Sequence, residues 1–328
     1  MFFPLLLVRI YFGFSSNRVI FCWARLELNI ISVLPLLVVS NGLMGTEVAI
    51  KYLLIQAWGS RIFLWSAFLR PTFALISRRA LTLALGLKLG AAPMHLWFIR
   101  VVRSSSWELI FILSTLQKVL PTYFLSIFST QILGVLVIIR AIIASLGVFN
   151  SSTVKAILGY SSVFTVSWVL RAVQAGRLNW AIYLIIYGVR LAVFLYLVSS
   201  YRIFRVSQMG RVKISLFSKL SLFITLVAIG GLPPLVSFWA KLLVLSDLLN
   251  RGLRNLSLIL VIRAVWILAI YVRIGLSILL LETLDKIRFK VENSVSLLII
   301  RLLAAILPIV LTILPVGVKH IKFWFLRV

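Results

Sequence analysis

Long runs of apolar residues follow one another along the whole chain, and only short polar connections separate them. Because a helix needs about 20 apolar residues to cross the hydrocarbon layer of a bilayer, most of these runs are long enough for one crossing. The pattern predicts an all-α polytopic membrane protein with a single transmembrane domain over residues 1–328. The eleven predicted spans are 2–17, 19–39, 46–69, 74–99, 106–127, 131–149, 153–173, 179–200, 215–249, 256–280 and 298–317.

The fourth and ninth predicted spans differ from the others because glycine and proline interrupt them. The fourth contains Pro93, and the ninth contains Gly230, Gly231, Pro233 and Pro234. Proline lacks an amide donor and clashes with the preceding turn, so both helices should break at these positions. Paired interruptions in the two halves of a chain are typical of inverted-repeat transporters, in which the freed carbonyls line a cavity. Ordinary proline kinks, which are common in membrane helices, are the alternative.

The composition agrees with a membrane protein and argues against several other classes. Hydrophobic residues make up 62% of the chain and the mean hydropathy is +1.13, whereas a soluble domain is about 45–50% apolar. The formal net charge is +27, but the basic residues are scattered through apolar segments, which argues against nucleic-acid binding. Cys22, His95 and His320 are the only cysteine and histidines. They are too few to ligate an iron–sulfur cluster or a bis-histidine haem, so we expect no redox cofactor and no metal on this chain.

Only seven acidic residues are present, and Glu27 is the one that lies well inside a predicted span rather than near a span end or in the predicted loop. Glu27 is flanked by apolar residues, where an acid is costly and usually functional. A purely structural role as the partner of the nearby Arg25 is the alternative. Glu47 lies four residues before Lys51, a spacing that favours an ion pair along one face of a helix.

Three lysines, Lys88, Lys118 and Lys241, also lie inside apolar spans. A lysine in a low-dielectric interior binds its proton less tightly than one in water, and a neighbouring carboxylate restores that affinity. A lysine–glutamate pair whose surroundings change can therefore take up and release a proton, which is what a proton pump requires. The alternative, that the lysines extend to the membrane surface, suits residues near span ends such as Lys155 better.

Six segments of the chain, in the right order, resemble motifs of one family. The segment KLGAAPMHLW is similar to KLGMAPFHFW of that family, and TEVAIKYLLIQA is similar to TEAAIKYFLTQA. The chain thus resembles the family of second subunits of mitochondrial NADH:ubiquinone oxidoreductase (complex I), in the shortened animal form. The six segments are 26–29 with 34–35, 46–57, 88–97, 116–118, 155–162, and 230–234 with Lys241.

The resemblance implies an antiporter-like fold with two inverted repeats, approximately 1–128 and 130–280, followed by a loop and a last helix over 281–328. It implies a proton-translocating membrane-arm subunit in which Glu27, Lys88, Lys118 and Lys241 carry protons. Flavin, iron–sulfur clusters and quinone are expected on other subunits, so this chain performs no redox chemistry itself. The expected partners are other membrane-arm and accessory subunits and lipids of the inner mitochondrial membrane. A stand-alone cation/proton antiporter of the same fold and a purely structural scaffold are the alternatives.

Several of the 23 arginines interrupt otherwise apolar spans, among them Arg140, Arg190 and Arg263. An arginine at a helix centre costs about 2.5–3.5 kcal/mol on insertion scales, and the chain has too few acids to pair with so many. Methionine is also scarce, with 4 residues against 38 isoleucines. Many invertebrate mitochondria read two arginine codons as serine and one isoleucine codon as methionine, which would explain both features. The alternative is that the arginines face water or acidic partner subunits.

Overall fold

The structure is a computed structural model that describes residues 19–41, 43–90, 94–128, 130, 132–174, 179–210, 215–233 and 235–280. The first and last predicted spans, 2–17 and 298–317, and the predicted polar loop from Glu282 to Asn293 lie outside these described residues. Pro93 and Pro234 lie outside them as well.

Thirteen helices make up most of the described part of the chain. They are α1 (Val19–Asn41), α2 (Leu43–Phe68), α3 (Ala74–Lys88), α4 (Leu96–Ser104), α5 (Trp107–Ser114), α6 (Leu116–Phe128), α7 (Ile132–Phe149), α8 (Val154–Gln174), α9 (Asn179–Ser200), α10 (Val206–Met209), α11 (Leu216–Gly230), α12 (Val236–Asn250) and α13 (Arg254–Leu280).

Five helical segments among the described residues are long and apolar enough to cross a membrane, fewer than the eleven predicted spans. The fourth and ninth predicted spans are each divided into two shorter helices, α3 with α4 and α11 with α12. The helix α2 is long enough to cross but carries Glu47, Lys51 and Arg61. The five segments are Val19–Val39, Trp107–Phe128, Val154–Gln174, Asn179–Ser200 and Arg254–Leu279.

The fifth predicted span is interrupted, which the sequence did not predict. The interruption separates α5 from α6 at Thr115, whose backbone angles are φ −120° and ψ −77°. The hydroxyl of Ser114 donates to the carbonyl of Ile110 at 2.5 Å, and that of Thr115 donates to Phe111 at 2.6 Å. Hydroxyls that bind the carbonyl one turn earlier compete with the helical backbone and bend helices. A third helix break therefore lies one turn before Lys118.

The helix α8 lies at the centre of the bundle and packs against α4, α6, α7, α9 and α12. Nearly all its residues between Val154 and Val173 are buried. At the periphery, α13 exposes large apolar side chains such as Ile262, which is 61% exposed, and Trp266, which is 48% exposed. A helix that is apolar on its outer surface suits a lipid environment rather than water. The prediction of an all-α membrane protein is therefore confirmed.

Contacts around Lys155 join three connections at one end of the bundle. Its ammonium group donates to the carbonyl of Ser105 at 2.5 Å and lies 5.1 Å from the ring centroid of Trp107. The ring of Trp107 stacks on Phe204 at a centroid distance of 5.9 Å. The amide of Val154 donates to the carbonyl of Phe204 at 3.0 Å. We call this cluster the Lys155 junction; it ties the α4–α5 connection to the start of α8 and to the segment before α10.

Candidate functional site: buried lysines at interrupted helices

Lys88 is the last residue of α3, at the first helix interruption. Its side chain is 5% exposed, and its ammonium group donates to the hydroxyl of Ser60 at 2.6 Å. The carbonyl of Lys88 accepts from the amide of Gln56 at 3.2 Å. Gly90 follows with a φ of +67°, a left-handed conformation that favours glycine. Two polar residues of α2 thus satisfy both the side chain and the freed carbonyl at the break.

Glu27 is a half-buried residue of α1 whose charge acts on Lys88 of α3 and on Tyr52 of α2. Among the described residues, the only ion pair within 4 Å joins Lys51 to Glu47 on α2, as the sequence predicted. Glu27 therefore acts on Lys88 across a longer separation than a direct salt bridge. Without direct contact, a change in the protonation of Glu27 or Lys88 costs less electrostatic energy than it would in a tight ion pair.

Tyr52 connects the Glu27 region to α6. The side-chain amide of Gln117 donates to its hydroxyl in a short hydrogen bond, and Tyr52 is fully buried. Gln117 precedes Lys118 directly in the sequence. The tyrosine ring also lies 5.9 Å from the ring of Trp97, at the start of α4. The Glu27 and Lys118 regions thus share one layer of buried polar and aromatic groups.

Lys118 lies in the first turn of α6, just after the break at Thr115. Its side chain is 3% exposed. The ammonium group donates to the hydroxyl of Ser162 and, at 3.2 Å, to the carbonyl of the same residue on α8. It also lies 4.9 Å from the ring centroid of Phe98, which provides a favourable cation–π contact. Neutral oxygens and an aromatic ring therefore hold this lysine, and no carboxylate among the described residues is in direct contact with it.

Lys241 lies in the second turn of α12, and its side chain reaches back to the second interruption. It is 7% exposed, and its ammonium group donates to the carbonyl of Gly230, the last residue of α11, at 2.5 Å. Its ammonium also lies 5.9 Å from the ring centroids of Phe164 and Trp168 on α8. Gly231 follows with a φ of +88°. The helix break thus provides the acceptor that the lysine binds.

Replacing Gly231 by alanine is expected to displace Lys241 from its acceptor. A Cβ at position 231 would lie 2.6 Å from the lysine nitrogen, too close for a normal contact. The left-handed backbone adds a cost of about 1 kcal/mol for a residue with a side chain. We expect a clear loss of proton translocation by the assembled protein, measured in membrane vesicles with a pH-sensitive dye.

Gly252→Ala provides the matched control for this prediction. Gly252 has a φ of +73°, but a Cβ at this position would meet nothing within 4 Å. It therefore shares the backbone cost and lacks the contact with the lysine. Equal effects of the two variants on proton translocation would show that Gly231 matters only for backbone strain.

A row of hydroxyl groups lies between the regions of Lys118 and Lys241. The hydroxyl of Tyr187 on α9 faces those of Ser162 and Thr165 on α8, without a hydrogen bond of normal geometry to either. A small cavity of about 10 Å³ is lined by Thr165 and Tyr187 on one side and by Ser237 on the other. This is about the space that one water molecule needs, and the lining has polar groups to bind it. Polar groups are thus present at this cavity, together with the apolar side chains of Ile186, Ile229 and Ala240.

The described residues of the sequence-predicted set lie on helices or at the second helix break. The four candidate proton carriers lie on α1, α3, α6 and α12, none of them in a loop. Gly230, Gly231 and Pro233 lie at the end of α11 and in the turn that follows it. Within the described ranges no three histidine, cysteine or acidic residues come together as a metal site.

Sequence reasoning missed one further buried lysine and the hydroxyl partners of the others. Lys219 on α11 is 1% exposed, and it lies in a polar stretch with Ser218 and Ser221 near the helix start. Lys219 lies close to the start of the ninth predicted span, so the signal of a charge in the middle of a long apolar run does not identify it. Ser60 and Ser162, which bind Lys88 and Lys118, carry no sequence signal that separates them from other serines.

Comparison with known proteins relates this arrangement to one family. The family described as "NADH:quinone oxidoreductase/Mrp antiporter, TM" matches residues 68–267. The NADH-ubiquinone oxidoreductase chain 2 of Lumbricus terrestris is 30% identical over 275 residues, 80% of this chain and 81% of that relative. The protein of the same name from Aedes aegypti is 28% identical over 306 residues, 90% of this chain and 89% of that relative.

Solved structures with a similar fold come from membrane complexes. A chain of respiratory complex I from Thermus thermophilus is 19% identical, with a TM-score of 0.79 over 96% of this chain and 78% of that one. A chain of an archaeal membrane-bound sulfane sulfur reductase is 17% identical, with a TM-score of 0.82 over 97% of this chain and 73% of that one. A chain of the Mrp complex from Dietzia is 17% identical, with a TM-score of 0.73 over 84% and 58%. At these identities the likeness shows a shared antiporter-like membrane fold.

Proposed function

Because this chain belongs to the NADH:quinone oxidoreductase/Mrp antiporter transmembrane family, we propose that it is a proton-translocating membrane-arm subunit of an NADH:ubiquinone oxidoreductase. The chain 2 relatives match it over most of both lengths, which supports this assignment over other members of the family. NADH oxidation and quinone reduction take place on other subunits, which hold the flavin, the iron–sulfur clusters and the quinone. This chain contributes proton movement.

The observation that carries the proposal is that three lysines are buried close to helix breaks and bound to neutral oxygens. Lys88 binds a serine hydroxyl, Lys118 a hydroxyl and a carbonyl of one serine, and Lys241 a carbonyl. A hydroxyl or carbonyl partner stabilises a protonated amine less than a carboxylate would. Such a lysine can therefore lose its proton and regain it without breaking a strong ion pair.

In the proposed mechanism, the charge of Glu27 controls how tightly Lys88 holds its proton. A charged Glu27 favours protonated Lys88, because opposite charges attract strongly in a low-dielectric interior. If Glu27 is neutralised or its field is compensated, Lys88 holds its proton less tightly. Protons can then pass through the layer of Tyr52, Gln117 and Lys118 toward Lys241, with water bridging the groups that do not touch.

The proposal includes eleven membrane crossings, arranged as two repeats over 1–128 and 130–280 and a last helix within 281–328. It also includes a location in the inner mitochondrial membrane, where other membrane-arm subunits and lipids surround the chain. The lysines of the two broken helices, Lys88 and Lys241, lie in different predicted repeats. This placement is what an inverted-repeat transporter requires for sites at the repeat interface.

A stand-alone cation/proton antiporter is the second candidate, because the fold is shared. The share of each relative that this chain covers favours the complex I subunit over the antiporter. The chain covers 81% and 89% of two chain 2 relatives but 58% of the matched Mrp chain.

Purification in mild detergent tests this choice. We expect the chain to migrate with a large assembly that oxidises NADH and reduces ubiquinone, because a membrane-arm subunit is held by its neighbours. Migration as a small particle without that activity, together with cation-dependent proton exchange in vesicles, would instead support the antiporter.

A further inference from the structure

Arg140 on α7 is fully buried without the partners that a guanidinium group needs. It makes one long hydrogen bond, 3.4 Å from Nη2 to the carbonyl of Leu89. Its Nε and Nη1 atoms have no hydrogen-bond partner. A buried donor that is left unsatisfied is destabilising, and more so when it carries charge.

Arg190 on α9 has the same problem next to the second helix break. It is 7% exposed and donates from Nη1 to the carbonyl of Ala228 at 3.0 Å, while Nη2 has no partner. Among the described residues, no carboxylate lies within 4 Å of Arg140 or Arg190.

Both arginines also lie close to a lysine of the site. The charge of Arg140 acts on Lys118, and that of Arg190 acts on Lys241. Two cations buried together, with no carboxylate of the described residues in contact, repel each other strongly in a low-dielectric interior. An arginine at either position therefore conflicts with burial, with hydrogen bonding and with the neighbouring charge at once.

We infer that the protein carries serine at positions 140 and 190, and that the space freed beside Lys118 and Lys241 binds water. This inference rests on the proposed function as a mitochondrial subunit and adds that the chain is encoded and synthesised inside the mitochondrion, where codons read elsewhere as arginine can specify serine. The same change of code reads an isoleucine codon as methionine, which accounts for 4 methionines against 38 isoleucines. One cause thus explains the buried charges and the composition.

Serine satisfies every local requirement that arginine violates. Its hydroxyl can donate to the carbonyl one turn earlier, as Ser145 on the same helix α7 donates to Ile142 at 2.8 Å. At position 190 the shorter side chain enlarges the cavity that Thr165 and Tyr187 already line. Several polar groups then surround enough space for water, so the hydroxyl row and Lys241 share one hydrated site.

Peptide mass spectrometry of the subunit from the intact native complex tests the inference. We expect chymotryptic peptides that contain positions 140 and 190 to have the mass of the serine form, and trypsin to leave both positions uncut. Cleavage after Lys155, which neither of the two codon changes invoked here affects, controls for access of trypsin. An arginine mass at either position overturns the inference there.

The codons of the gene provide an independent test of the inference. We expect the codons for positions 140 and 190 to be AGA or AGG, the two arginine codons that invertebrate mitochondria reassign. A codon of the CGN type at either position overturns the inference for that position. Neither result bears on proton translocation by Lys118, so the failure of this inference and the failure of the proposed function can be told apart.

Discussion

Replacing Lys118 by alanine is expected to reduce proton translocation by the assembled complex by about tenfold or more. The lysine is 3% exposed and is held by Ser162 and the ring of Phe98. Alanine removes a buried amine from the centre of the proposed path, together with the hydrogen bonds that this amine donates to Ser162. A loss of about 1.4 kcal/mol in the limiting step corresponds to a tenfold slower rate. Proton uptake by vesicles during NADH-driven quinone reduction measures the effect.

Lys155→Ala is the matched control for this experiment. Lys155 is a partly buried lysine that, like Lys118, binds a carbonyl and contacts an aromatic ring, but it lies at the end of the bundle. We expect it to lower the stability of the subunit and to leave the ratio of protons to electrons unchanged. An unchanged ratio in an assembled Lys118→Ala complex would remove this lysine from the path.

Glu27→Gln and Lys88→Ala are each expected to lower proton translocation strongly, and the double variant by little more than either alone. The charge of Glu27 acts on Lys88, so each residue matters chiefly through the other. Interacting residues of this kind show non-additive effects of about 0.5–3 kcal/mol in a double-mutant cycle. Initial rates of proton release in the four proteins give the coupling directly.

Glu47→Gln tests whether any lost carboxylate has the same effect. Glu47 pairs with Lys51 at an exposed position on α2, where an ion pair contributes about 0–1 kcal/mol. We expect wild-type pumping from this variant. Strictly additive effects of Glu27→Gln and Lys88→Ala would show that the two residues act separately.

The sequence predicted most of the helices and the buried lysines Lys88, Lys118 and Lys241 because both have local signals. A charge within an apolar run is visible without any knowledge of packing, and so is the combination of glycine and proline around Gly231 and Pro233. The same signals predicted where α11 would end. The pairing of Glu47 with Lys51 was predictable because residues four apart share one face of a helix.

The partners of the lysines could not be predicted, because they depend on how distant helices are rotated against one another. Ser60 lies 28 residues from Lys88, and Ser162 lies 44 residues from Lys118. The break at Thr115 was missed for a different reason. It is produced by hydroxyl groups that bind carbonyls of the preceding turn, and the stretch contains no glycine or proline at that point.

The Lys155 junction has a mechanical consequence for the whole subunit. It joins the α4–α5 connection, in the first predicted repeat, to two segments of the second predicted repeat through a charged hydrogen bond, stacked rings and a backbone hydrogen bond. Sliding one half past the other would break all of these contacts together. At the two interrupted helices, by contrast, the backbone ladder is already open around Gly90 and Gly231. We therefore expect the subunit to be rigid at the Lys155 junction and more flexible at the interrupted helices near Lys88 and Lys241. The short helix segments there can tilt while the Lys155 junction keeps the two predicted repeats fixed to each other.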